Sequence, residues 1–121
     1  MDSTFLETAM RLGARLTQNR ASYEQGALDK AAFLTALQAQ SKRATPLRKL
    51  LAAIPPPTNA PEATQSIHKH YVLAASLLLQ ALTSMQTHLE TGDNPAAAQS
   101  RLYLGEFFRE MNEAATLAGQ S

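Results

Sequence analysis

Hydrophobic positions recur every three or four residues over four stretches of the chain, the period of a helix buried along one face. The pattern is densest between Glu62 and Glu90, where Ile67, Tyr71, Ala74, Leu78, Ala81, Leu82, Met85 and Leu89 form one stripe. Val72, Leu73, Leu77 and Leu79 widen that stripe well beyond one face. Ser76, Gln80, Ser84 and Thr87 make a narrow polar seam, and no Asp, Glu, Lys or Arg falls between Lys69 and Glu90. A helix that is apolar nearly all round is buried in protein or in lipid. The apolar run from Tyr71 to Leu79, with Ser76 inside it, falls short of the roughly 20 apolar residues that a bilayer span needs. The expectation is a buried central helix, covered by the rest of the chain.

Three further helices supply the cover. The first begins at Thr4, because Thr4-Phe5-Leu6-Glu7 fits a capping box. Its inward face reads as Leu6, Met10, Leu12 or Gly13, Leu16 and Tyr23, and it ends near Gln25 with Gly26 as a left-handed stop. Asp29 caps the second, whose stripe is Ala32, Phe33, Ala36, Leu37 and Gln40. Proline removes a donor and crowds the carbonyl four residues back, here Lys42, so this helix is expected to break or kink near Pro46. In the favoured form Thr45 caps a short new helix from Pro46 to Ile54 that carries Leu47, Leu50, Leu51 and Ile54. Pro55, Pro56, Pro57 and Pro61 punctuate a stiff, extended linker before the central helix. Gly92-Asp93-Asn94-Pro95 is a stop followed by a start. The last helix then carries Leu104, Phe108, Met111 and Ala115 inward, joined by Ala97, Leu102 and Phe107. The predicted fold is all-α, an up-and-down bundle of four main helices over about 4–25, 29–53, 62–90 and 95–117. It forms a single domain over 1–121, with 55–61 as the proline-rich linker.

Composition agrees with a folded bundle. The chain has 121 residues, 45% hydrophobic and 17% charged, which fits one domain with one core. It has no cysteine, which removes disulfides, thiolate ligands and cysteine catalysis. The first residues lack a basic start followed by a continuous apolar core, so they do not read as a signal peptide. The default expectation is a cytoplasmic protein, or an exported one if a leader has been removed. The turn and cap motifs around Tyr23–Phe33, the proline linker and Gly92-Asp93 resemble those of small bacterial helical domains without assigned activity. They imply a fold and no chemistry.

Charge changes the picture locally. Residues 1–60 hold eight Lys/Arg and four Asp/Glu, a net of +4, and residues 61–121 hold three and six, a net of −3. Lys42, Arg43, Arg48 and Lys49 straddle Pro46, and a helix start with basic neighbours can hold a phosphate or carboxylate. His68 and His70, two apart on a helix, point away from each other and cannot share a metal as an i, i+4 pair would. Glu106, Glu110 and Glu113 form an acidic strip that reads as a solvent face, since acid–base work needs a cleft and a partner from another element. Ser76 and Ser84 have no neighbouring base or glycine elbow. No catalytic residue, metal or cofactor is expected, and no specific nucleic-acid signal is seen. Tyr71, Leu78, Met85, Phe107 and Phe108 are candidates for core or interface.

These features predict a non-enzymatic interaction domain, self-associating or binding a protein partner through apolar helix faces. The alternative is a module for an anionic ligand (a phosphate-bearing molecule, a nucleic acid or a membrane surface) at the basic cluster. With Leu78 at the centre of the stripe, Leu78→Ala should cost about 2–5 kcal/mol in chemical denaturation. A cost under about 0.5 kcal/mol, the range of surface changes, would mean that the buried face lies elsewhere.

Overall fold

Four helices make up most of residues 3–120, the part of the chain that the computed structural model describes. They are α1 (Ser3–Glu24), α2 (Lys30–Ala53), α3 (Glu62–Thr91) and α4 (Asn94–Gln120). Their directions alternate. Phe5 early in α1 packs on Tyr71 early in α3, with ring centroids 5.0 Å apart. Glu24 at the end of α1 meets Arg101 early in α4, and His70 early in α3 meets Glu110 late in α4. The chain is therefore an all-α, up-and-down four-helix bundle. Among the described residues, no helix is long and apolar enough to cross a membrane.

The core is built on α3. Tyr71, Ala74, Ala75, Leu78, Ala81, Leu82, Met85 and Leu89 are all buried, and burial raises the Tyr71 phenol above its usual pKa. Ile67 is only partly buried. Leu73 is 51% exposed, so α3 is not covered all round as its composition suggests. It keeps an outward face. Where α3 and α4 cross, Ser100 is fully buried and its hydroxyl donates to the Ala81 carbonyl at 2.7 Å. That bond makes a buried polar group tolerable at the crossing.

The stripes of α1 and α4 match expectation only in part. In α1 the expected Leu12, Gly13 and Leu16 are buried, joined by Phe5 and Ala9, while Leu6, Met10 and Tyr23 are only partly buried. In α4 the buried residues are Ala96, Ser100, Leu104, Phe107, Met111 and Ala114. Phe108 is half-buried, Ala115 is exposed and Leu102 is 66% exposed. Adjacent apolar rows compete for one interface, and the row that wins holds the small residues, which let helix axes approach. Tyr71, Leu78, Met85 and Phe107 are thus core rather than interface.

Pro46 does not split α2, which runs unbroken from Lys30 to Ala53. The Thr45 hydroxyl donates to the Ser41 carbonyl at 2.9 Å instead of capping a new helix. The reason is the apolar register: Phe33, Leu37, Gln40, Ala44 and Leu51 lie along one buried face through the proline. Pro46 and Lys42 are both exposed, so water can reach the carbonyl that loses its partner.

The predicted ends hold. Asp29 is extended and its carboxylate accepts from the Ala32 amide at 2.7 Å. Gly26 has φ 80°, and Gly26 N–H and Ala27 N–H donate to the Tyr23 and Ser22 carbonyls, a Schellman closure. Gly92 has φ 77° and donates to the His88 carbonyl. The Thr4 side chain of the proposed capping box lies outside the described residues. The linker is less extended than its prolines suggest. Ala60 N–H donates to the Pro57 carbonyl, and the Gln65 amide clamps the Thr58 and Ala60 carbonyls at 3.0 Å each.

α1 reaches α4 over Gly13. A Cβ built there would lie 2.6 Å from Cε2 of the fully buried Phe107 and 3.1 Å from Phe108. Alanine would gain up to about 1 kcal/mol of helix propensity, but overpacking a filled core typically costs about 1–3 kcal/mol. Gly13→Ala should therefore lower the denaturation midpoint. A raised midpoint would show that α1 stands further from Phe107.

Candidate functional site

The basic cluster is not one site. Lys42, Arg43, Arg48 and Lys49 are all exposed and lie inside a continuous helix, so no helix start sits among them. At 100° per residue, Lys42 and Lys49 share a face while Arg43 and Arg48 point elsewhere. None of the four makes an ion pair among the described residues. Arg48 is drawn into a concavity. It borders a groove of about 270 Å³ on the outer face of α3, with Ser76, Leu79, Gln80, Thr83, Ser84 and, from α4, Tyr103. Ser76, Gln80 and Ser84 of the uncharged seam therefore lie in a groove bordered by Arg48 of α2 and Tyr103 of α4. Its residues offer hydroxyl, amide and guanidinium donors and no carboxylate. Ser76 and Ser84 have neither histidine nor carboxylate beside them there.

The acidic strip has the partner that a single helix could not reveal. His70 of α3 donates through Nδ1 to Glu110 Oε2, and Glu113 Oε2 lies 3.6 Å from the same nitrogen. His70 and Glu110 are partly buried at the α3–α4 seam, and Glu113 is 53% exposed. The three donor atoms lie within 4.8 Å of one another, close enough to hold a metal ion. A zinc ion would sit about 2.0–2.2 Å from each ligand atom, so His70 and Glu110 would have to part. The direct contact makes the cluster an interhelical hydrogen bond to a carboxylate as it stands.

A second charged group lies at the opposite end of the bundle. Arg101 Nη2 of α4 donates to Glu24 Oε1 of α1 at 2.6 Å, and Arg20 Nε stands 3.8 Å from the same oxygen. Arg20 carries most of its side chain inside, 20% exposed, and its Nη1 is buried with no acceptor. Its pKa is lowered first by burial and then by the like charge of Arg101, with Glu24 opposing. Beside the two arginines is a cavity of about 220 Å³, also lined by Tyr23, Met85, His88 and Asn94. His88 Nδ1 donates to the Asp93 carbonyl at 2.9 Å.

The chain matches no protein-family model, no curated protein and no solved structure. What it does has to be argued from these three places. Sequence reading found the seam, and it found Arg48 as part of a cluster that the fold disperses. It missed His70 with Glu110 and Arg20 with Arg101, because each pair joins residues distant in the chain. The one local hint was i, i+4 spacing between Arg20 and Glu24, a pattern common on solvated helices.

Removing the acceptor at the seam tests its structural role. Glu110→Gln should destabilise the bundle by about 1 kcal/mol in urea unfolding, as for a partly buried charge-assisted bond. Glu113→Gln, mostly solvated, should cost less than half of that. Equal costs would mean that Glu110 holds no special place.

Proposed function

We propose that the chain is a non-enzymatic helical interaction domain that pairs with a second copy of itself through the outer face of α3. The observation that carries this is the outward surface of the longest helix. From Leu73 to Thr87 it is uncharged, and two large apolar side chains stand in solvent, Leu73 of α3 at 51% exposed and Leu102 of α4 at 66%. Exposed apolar surface with a polar rim is the common composition of a protein contact.

The borders favour a second copy as the occupant. α2 carries five cations and no acidic residue, and Arg48 among them borders the groove. The α4 border carries Glu106, one turn before the Glu110 that touches α3, and the half-exposed Glu113. A two-fold axis parallel to α3 lays the α2 border of one copy over the α4 border of the other. Basic residues then face acidic ones twice, the self-complementarity of an isologous contact.

A second reading uses the same groove. Arg48 with Ser76, Gln80, Thr83, Ser84 and Tyr103 is a set of donors without a carboxylate, which suits a phosphate-bearing ligand.

Sedimentation velocity separates the two. The parent chain should give a dimer or a concentration-dependent species, and the pair Leu73→Asp with Leu102→Asp should sediment as a monomer with unchanged helical content. A parent that stays strictly monomeric at about 100 times the micromolar range of ordinary contacts removes the self-association reading. Salt-sensitive binding of a phosphate ligand that Arg48→Glu abolishes would then put the anionic reading in its place.

A further inference from the structure

We propose that the cavity between the end of α1, the end of α3 and the start of α4 binds a small oxyanion, a phosphate or carboxylate group, held between Arg20 and Arg101. The site is separate from the α3 groove and shares no residue with it.

Positive charge exceeds negative charge around this cavity. Two guanidiniums share one carboxylate oxygen, Glu24 Oε1, at 2.6 Å and 3.8 Å. Glu24 is the only acidic residue lining the cavity, so one positive charge there is unmatched. Arginine cannot discharge by losing its proton at neutral pH, so the excess has to be met by an anion or by water.

Arg20 is held mostly inside, 20% exposed, and its Nη1 has no acceptor in the fold. Nη1 is shut off from solvent, so what Arg20 presents to the cavity is the charge of its guanidinium rather than that atom. Its pKa is depressed by burial and by the like charge of Arg101.

Asn94 and Ala97, in the first turn of α4, line the cavity. The positive end of that helix therefore adjoins the cavity. Tyr23 and Met85 supply an apolar wall. At about 220 Å³ the cavity lies below the roughly 300–1,000 Å³ of drug-sized ligand sites. It suits an ion or the charged end of a small molecule.

The test is calorimetric titration of the full chain with inorganic phosphate and, in parallel, acetate, at constant ionic strength. We expect saturable binding of at least one of the two, and the tighter names the group. Arg101→Gln should weaken it about tenfold or more, the scale of one charge-assisted contact. Glu24→Gln, which removes the competing carboxylate, should tighten it severalfold, and a plain structural ion pair predicts no such gain. Arg48→Gln should leave it unchanged, so failure of the groove reading and failure of this one are told apart. Circular dichroism checks that each variant keeps its helical content. The proposal is overturned if neither anion binds saturably, or if Arg101→Gln and Glu24→Gln both bind as the parent does.

Discussion

Eight side chains of α3, from Tyr71 to Leu89, face the interior together, and the other three helices are laid against them. That single demand explains much of the rest. A helix buried along most of its length can carry few charges, because an unpaired buried charge costs several kcal/mol. The charge-free interval from His70 to Leu89 is therefore a packing requirement before it is anything functional. It also explains the alanines at 74, 75 and 81, which let the neighbouring helices approach, and the serine at 100, which bonds back onto the α3 backbone at Ala81. The outward seam of α3 inherits its lack of charge from the same interval.

What the sequence made legible follows from the range over which each signal acts. Caps and stops are local. Asp29, Gly26 and Gly92 were readable because each acts within a turn of its own position. The α3 stripe was readable because its apolar period runs over many turns. The full stripes of α1 and α4 were not, since Phe5 and Leu6, or Phe107 and Phe108, are equally apolar alone. The close approach of α1 to Phe107 over Gly13 is a contact between helices, which no single stretch of sequence displays. Pro46 misled for a related reason. The local cost of a proline is real, but the face shared by Phe33, Leu37, Ala44 and Leu51 outweighs it. The His70–Glu110 and Arg20–Arg101 groupings were beyond reach, because each needs the bundle to exist before its members are neighbours.

Gln40 shows the limit of reading the core as oil. It is 2% exposed, and neither its amide nitrogen nor its amide oxygen has a partner. Sequence period places it inward correctly, as the next step after Phe33 and Leu37, yet no apolar residue occupies the step. Such a group costs on the order of 1–3 kcal/mol relative to a satisfied one. Its position on α2, the helix with five cations and no acid, means that this helix carries both a polar defect inside and an unbalanced charge outside. α2 is held by the shape of its stripe more than by its polar contacts.

The two interhelical charge groups are mirror images in stoichiometry, and that decides which one points to a ligand. At one end a single imidazole faces two carboxylates, Glu110 and Glu113. The surplus there is negative, it rests on the half-exposed Glu113, and water can solvate it. At the other end a single carboxylate, Glu24, faces two guanidiniums. That surplus is positive and cannot be relieved by deprotonation. Part of it belongs to an Arg20 side chain only 20% exposed, with Nη1 closed to water. A cation offered to the first group would have to break a contact already made. An anion offered to the second would balance a charge that Glu24 alone leaves unmatched.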